Sequence, residues 1–269
     1  MQPGCLSDIF VTVWPTIFAL DLSRYVLFAS LLAAVLAVFA GPLASRRIQS
    51  RRASGKDVRR EISFSLSTVV LFSLVGFSVY LGSQAGVFRV YGGDMPSVGH
   101  MLAEFAAMVL LHDAYFYWAH RVMHTRWLFR RVHRIHHISR TPTPWAAYAF
   151  APPEAILEAN ILPLAALLFP LHEFTVLLFV THMIVRNVIG HAGVELFPSW
   201  WLRVPLLRWI TTTTHHDLHH SHGGYNFGLY FTWWDRWMKT EHPEYASRFM
   251  AVTRSTCPLK FPAKENFNE

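Results

Sequence analysis

The chain holds sixteen histidines, and ten of them crowd into two short windows. Residues 120–137 read HRVMHTRWLFRRVHRIHH, and residues 215–222 read HHDLHHSH. His120 and His124 stand at i and i+4. His133, His136 and His137 stand at i, i+3 and i+4, and His216, His219 and His220 repeat that pattern. On a helix these spacings stack side chains one turn apart on one face. Eight imidazoles exceed what a single ion takes, since a structural zinc closes with four ligands and a catalytic zinc keeps three and a water. Two metals are implied. Imidazole suits zinc, copper, iron and nickel alike, so spacing does not name the element. Sulfur contributes nothing, because the two cysteines, Cys5 and Cys257, lie near opposite ends. The chain has no HExxH of a zinc metalloprotease and no Glu-x-x-His pair of a carboxylate-bridged di-iron bundle.

Such ligands need rigid elements to hold them, and the composition says which. With 52% hydrophobic residues, 15% charged residues and a mean hydropathy of +0.26, the chain falls outside the range of soluble domains. Residues 25–43 and 62–82 are free of charge and nearly match a ~30 Å hydrocarbon core at ~1.5 Å per residue. A third stretch, 98–119, carries His100, Glu104, His112 and Asp113, and ionisable groups within a span mark a site or a cavity. Two shorter apolar runs, 155–170 and 174–190, fit a re-entrant hairpin or a short antiparallel pair. No polar linker or internal repeat divides the chain. The expectation is one all-α domain over 1–269, a multi-pass membrane bundle of four to five hydrophobic segments with a histidine-rich helical cap, and a histidine core at 112–240.

Charge sets the orientation. Between the first two spans lie Arg46, Arg47, Arg51, Arg52, Lys56, Arg59 and Arg60 against only Asp57 and Glu61, most of the formal net charge of +7. By the positive-inside rule this loop, and with it the histidine cap, is cytoplasmic. Cations lodged between hydrophobic spans do not form a nucleic-acid face, so nucleic acid is not an expected partner. The N-terminal segment lacks a basic stretch ahead of its apolar run and does not read as a cleaved secretory signal. PSWWLR at 198–203 and FTWWDRWMK at 231–239 place Trp beside Arg and Lys, as in segments lying at a membrane interface. Pro142, Pro144, Pro152 and Pro153 make 140–153 a loop with short turns.

Further residues can support the ligands. Asp113, two helical turns before His120, lies on the same stripe and is placed either to accept a ring N–H or to face a water-lined cavity. Asp217, inside the third histidine group, has the same two readings, with helix capping added. His215 can join His219 at i, i+4 as an additional ligand. His112 is offset by roughly 80° from His120 on an ideal helix. Asp235 and Arg236 read as structural. His100, His172, His182 and His242 stand alone, as satisfied polar groups do.

The stretches HDAYFYWAHRVMH, HRIHH, TPTPWAAYAFAPPEAILEA, LFPLHEF and HHDLHHSHGGYNFGLYFTWWDR together resemble the fatty acid hydroxylase and sterol desaturase superfamily over roughly residues 100–240. PTPWAAYAF and YNFGLYFTWWDR are most similar to its C-5 sterol desaturase branch. The resemblance implies a multi-pass membrane enzyme holding two iron ions, which zinc can replace on purification, with dioxygen as co-substrate. By it, His120 and His124 form the first box, His133, His136 and His137 the second, and His216, His219 and His220 the third. His191 falls where family members carry a further ligand. Asn187 stands where some members have another histidine, which implies a more open coordination position or a water. Ala151 replaces the histidine of the common Phe-His-Pro-x-Glu sequence, while Glu154 is retained. The implied reaction is hydroxylation or desaturation of a sterol, fatty acyl or related membrane lipid drawn from the bilayer. The chain has no dinucleotide, haem or ferredoxin motif, so a separate electron donor is expected, either cytochrome b5-like or a ferredoxin with its reductase. The rival reading is a non-catalytic histidine-rich membrane protein that binds or moves zinc.

Overall fold

A computed structural model of the chain describes residues 6–254; Cys5 and Cys257 lie outside the described residues. Helix α1 (Leu6–Val38) is 33 residues long and holds Pro15 inside it. This corrects the first expected span, 25–43. Asp21 and Arg24 interrupt the apolar run in the sequence, but they form an ion pair one turn apart, so one helix carries both. At the other end, residues 39–43 are turns around Gly41 and Pro42. At ~1.5 Å per residue α1 is about 50 Å long, more than a bilayer core needs, and a helix of that length tilts or emerges.

Helix α2 (Gly55–Gln84) contains the second expected span. It starts at a capping box in which the Ser54 side chain accepts from the Asp57 N–H while the Asp57 carboxylate accepts from the Ser54 N–H, satisfying two otherwise unpaired donors. It packs on α1 through Trp14, whose indole N–H donates to Ser73 at 3.1 Å, and through Phe10 edge-on to Phe77. A two-residue strand β1 (Val90–Tyr91) follows, then α3 (Val98–Met123). Short α4 (Arg126–Leu128), a π-helical turn at 129–133 and α5 (Arg134–Ile138) carry the middle histidines. A 3-10 turn at 144–148 leads to α6 (Pro152–Ala159), α7 (Ile161–Leu168), strand β2 (Leu171–His172) and α8 (Glu173–Gly190). Beyond lie α9 (Thr213–His222), α10 (Trp233–Trp237) and α11 (Tyr245–Arg254). β1 and β2 pair in parallel, Val90 with Leu171 and Tyr91 with His172, in an otherwise helical protein.

Among the described residues α1, α2 and α8 are long and apolar enough to cross a membrane. α3, expected to span, is a continuous helix but does not join them, because His100, Glu104, His112 and Asp113 dilute it. Its polar groups serve packing. Glu104 accepts from the Tyr91 hydroxyl, the His172 amide and the Thr175 hydroxyl. The expected run 155–170 is broken at Asn160 into two eight-residue helices, each about 12 Å long and too short to cross alone.

One apolar core joins α3, α7 and α8 around Met108, Phe116, Leu171 and Phe179. Another joins α1, α2, α8 and the 144–150 loop around Tyr25, Val69, Tyr148 and Ile184. Leu27, Leu31, Leu66 and Val70 are left exposed on the outer faces of α1 and α2, as lipid contact requires. The loop is pinned by buried polar bonds: the Tyr25 and Ser65 hydroxyls both donate to the Trp145 carbonyl, and the Thr143 hydroxyl donates to Glu61 at 2.5 Å. Asp113, fully buried, accepts from the amides of Tyr230 and Phe231 and from the Trp233 indole. Replacing Asp113 by Ala strands those donors, at about 1–3 kcal/mol for each buried amide. The variant's thermal unfolding in detergent is expected several degrees below wild type; an unchanged midpoint would show that Asp113 does not hold this loop.

Candidate metal centre

Five structural features deliver nine imidazoles to one place. The last turn of α3 and its C-cap supply His120 and His124. The π-helical turn, a form common at functional sites because its extra residue re-aims a side chain, supplies His133, and α5 supplies His136 and His137. His191 caps the C-terminus of α8. α9 supplies His216, His219 and His220, starting at Thr212, whose hydroxyl accepts from the His215 amide, and stopping at Gly223 with φ +56°.

The rings sort into two clusters. His120, His124, His133, His137 and His219 make one, and His136, His191, His216 and His220 the other, with the ligand atoms of each cluster within 4.8 Å of one another. In the first, Nε2 of His137 lies 3.2 Å from Nε2 of His124, 3.1 Å from that of His133 and 3.0 Å from that of His219. Nε2 of His120 is 3.0 Å from Nε2 of His133. In the second, the Nε2 atoms of His191, His216 and His220 are 3.1–3.2 Å apart. The two HxxHH groups are used reciprocally. In α5 and the turn before it, the i, i+4 pair enters the first cluster and the middle histidine the second; in α9 the pair enters the second and the middle histidine the first. Adjacent residues on each helix thus face different clusters, which brings the clusters side by side, with ring centroids 5.1 Å apart for His137 and His220.

Hydrogen bonding on the far side of the rings fixes what the near side offers. Nδ1 of His120 meets the Phe227 carbonyl at 3.0 Å, Nδ1 of His219 the Tyr225 carbonyl at 2.7 Å, and Nδ1 of His191 the Asn187 carbonyl at 2.7 Å. A carbonyl only accepts, so each Nδ1 carries the proton and each Nε2 presents a bare lone pair. Burial pushes the pKa of His137 down to about 3 and those of His133, His136, His216, His219 and His220 well below the ordinary 6.5. Neutral rings are the ligating form. Lone pairs packed about 3 Å apart in a buried site repel one another, and a cation between them turns that repulsion into coordination. An all-nitrogen, neutral donor set in two adjoining groups therefore fits two imidazole-binding metal ions.

Glu154 completes one relay. Its Oε1 sits 2.7 Å from Nδ1 of His133, both residues buried. Burial, with the neighbouring Glu158 adding to it, raises the Glu154 carboxyl well above its usual range; a cation on the other nitrogen of the His133 ring would counter that rise and hold a carboxylate–histidine–metal arrangement. Gly228 shapes the wall behind His120. A Cβ there would lie 2.4 Å from the Phe231 carbonyl, and the Phe227 and Gly228 amides donate to Asp235, which aims the Phe227 carbonyl.

Several expected supporting residues are placed elsewhere. Asp113 is fully buried and its oxygens are turned to the 230–233 segment rather than to a histidine ring, both of them accepting from it. His112 turns away from both clusters, its Nδ1 2.9 Å from the Tyr230 hydroxyl. His215 lies on the back of α9, with Nε2 3.4 Å from Asp235 Oδ2, because the α10 segment packs that acid against it. Asp217 accepts from the Gln49 amide. Asn187 contributes through its backbone carbonyl rather than its side chain. Glu154 and the three carbonyls carry the support instead. A Glu retained in an expected family position signals the first in the sequence, whereas carbonyl acceptors leave no trace there.

Residues 105–240 match the family model of fatty acid hydroxylases. The chain is 33% identical to mouse lathosterol oxidase and 30% identical to the human one, each over 67% of this chain and 60% of the relative. It is 26% identical to a Delta(7)-sterol 5(6)-desaturase of Aspergillus fumigatus over 84% of this chain and 64% of the relative. The chain thus spans about 60% of the length of the first of these relatives. The likeness to the superfamily and to its C-5 sterol desaturase branch is borne out. No solved structure matches.

The cluster assignment has a specific consequence for neighbouring residues. His219→Ala is expected to cost the metal of the first cluster and His220→Ala that of the second. Adding His124→Ala to His219→Ala should then remove no further metal by elemental analysis, while adding His220→Ala should remove the rest; equal loss from both pairs would contradict two clusters. In metal-stripped protein the unfolded chain takes up protons near pH 6.5, whereas the buried rings stay neutral, His137 down to about pH 3. Unfolding is favoured in that window, so stability is expected to fall as the pH drops below 6.5 and to level off above it. A flat profile of unfolding temperature against pH would contradict the burial of neutral rings.

Proposed function

We propose, on the premise that the chain belongs to the fatty acid hydroxylase family, that it is a membrane oxidoreductase that hydroxylates or desaturates a lipid with dioxygen. The observation that carries this reading is the meeting of nine imidazoles, seven of them buried and those of His124 and His137 half-buried, in two adjoining clusters against helices able to cross a bilayer. Two iron ions bound there would supply the reduction of dioxygen to an oxidant able to attack an unactivated C–H bond. The chemistry balances with two external electrons and two protons: hydroxylation inserts one oxygen atom and forms one water, and desaturation removes two hydrogens and forms two waters.

The chain's own residues do three things in this scheme. The Phe227, Tyr225 and Asn187 carbonyls and Glu154 hold ring tautomers and orientations. The neutral rings keep the donor set free of negative charge. Burial of the rings excludes water and holds a guest C–H bond close, which decides whether lipid or protein is oxidised. The basic segment packs beside the clusters, with the Arg46 side chain donating to the Glu195 and Phe197 carbonyls and Arg60 donating to Ser139. The positive-inside rule then supports a cytoplasmic centre, within reach of a separate electron donor, either cytochrome b5-like or a ferredoxin with its reductase. A zinc-moving protein would carry free polar ligands along its spans. Glu104, His112 and Asp113 are instead engaged in packing bonds, which favours the enzyme.

Comparative lipid mass spectrometry on cells with and without the protein, grown in oxygen, tests the reading. We expect one lipid to gain an oxygen or lose two hydrogens, and the change to vanish in His136→Ala. Lipid profiles that never depart from those of cells lacking the protein, alongside bound metal, would contradict it.

A further inference from the structure

Between α1, α2, α6 and α8 lies a cavity of about 410 Å³, in the range of small-molecule sites. Its wall follows α2 from Phe72 to Gln84, about 18 Å at ~1.5 Å per residue, and is mostly aliphatic and aromatic. Tyr80, Ser83, Gln84, Tyr91 and Glu173 line it toward the C-terminal end of α2, and Asp21, Arg24, Tyr148 and Glu158, with the wall's ion pair, gather near the other end. That end is the one nearest the metal centre. Trp14 of α1 is level with Ser73, and Tyr25 is level with the Trp145 carbonyl that also takes Ser65, so Asp21 and Arg24 lie between those levels, beside the loop. Two residues after Tyr148 comes Phe150, whose ring packs 5.2 Å from that of His136. Glu158 lies one turn after Glu154, the partner of His133.

Charges in a spanning helix are expensive and rarely placed without use. Asp21 and Arg24 neutralise each other, and among the described residues each is the other's only hydrogen-bond partner. The guanidinium has donors to spare and the carboxylate has acceptors to spare. A lone arginine would draw a carboxylate or phosphate head, but here the pair is neutral and Glu158 stands nearby, so an anion would meet two acids and one cation. A hydroxyl, which donates and accepts at once, matches the pair. Both residues also precede the segment matched by the family model, 105–240, so this feature lies outside what defines the family.

We propose that Asp21 and Arg24 are specificity-determining residues that bind the hydroxyl of an uncharged lipid alcohol, placing its head at the metal-proximal end of the cavity and its apolar body along α2. This rests on the lipid-oxidation reading for its purpose, though not for its binding chemistry. The carbons within a few bonds of the hydroxyl then lie nearest the histidine clusters.

The test is equilibrium binding of tritiated lathosterol, its 3-O-methyl ether and its 3-sulfate to the whole protein in detergent. Wild type is expected to bind the alcohol about tenfold tighter than the ether and to bind the sulfate weakest. Asp21→Leu with Arg24→Leu removes both charges together and should bring alcohol and ether to the same affinity with metal content unchanged. The swapped pair, Asp21→Arg with Arg24→Asp, should keep the preference. Equal binding of alcohol and ether by wild type, or a preference that survives the double leucine variant, would overturn the proposal. A preserved preference in a protein that oxidises no lipid would support the binding site and count only against the oxidation reading.

Discussion

Nine imidazoles converging with ring nitrogens about 3 Å apart, several with their lone pairs turned inward, form an arrangement a folded chain does not tolerate for its own sake. Rings whose Nδ1 protons are committed outward, to the Phe227, Tyr225 and Asn187 carbonyls, cannot also donate inward. The Nε2 atoms therefore face each other about 3 Å apart with nothing of the protein's own to share. Much of the architecture serves this convergence: α3 ends at it, a π-helical turn re-aims one of its ligands, α8 is capped by another, and α9 is buried along most of its length.

The membrane setting explains how the cap is held. Polar groups that would be costly in the apolar layer are used as joints. Glu104 ties α3 to β2 and α8, Glu61 ties α2 to the loop between the second box and α6, and Asp113 ties α3 to the segment whose carbonyl orients His120. Buried acids are tolerated to the extent that donors reach their oxygens. α1 and α2 meanwhile turn apolar faces outward and enclose the cavity with α6 and α8; Tyr148 lines it, and Phe150, two residues on, packs against His136.

Much of this was legible in the sequence because it is periodic. The i, i+3, i+4 spacing of HRIHH and HDLHH announced helix-borne ligands, and the charge-free stretches announced spans. The division of each HxxHH between two clusters was not legible, since it depends on how α5 and α9 cross rather than on their own repeat. The first span was placed too late because Asp21 and Arg24 look like a boundary until their mutual pairing is seen. Asp113 shares a stripe with His120, yet stripe position says nothing about which loop arrives first to claim its oxygens. Glu154 is separated from His133 by twenty-one residues and a proline-rich turn, and only the folded loop shows that they touch.

The central claim is that the chain builds two distinct metal positions, one from His120, His124, His133, His137 and His219 and one from His136, His191, His216 and His220. The most direct measurement is an anomalous difference map collected at the iron absorption edge from crystals of the purified, iron-loaded protein. Two peaks, one within each group of Nε2 atoms, are predicted. A single peak shared by both groups, or peaks lying away from these rings, would contradict the account.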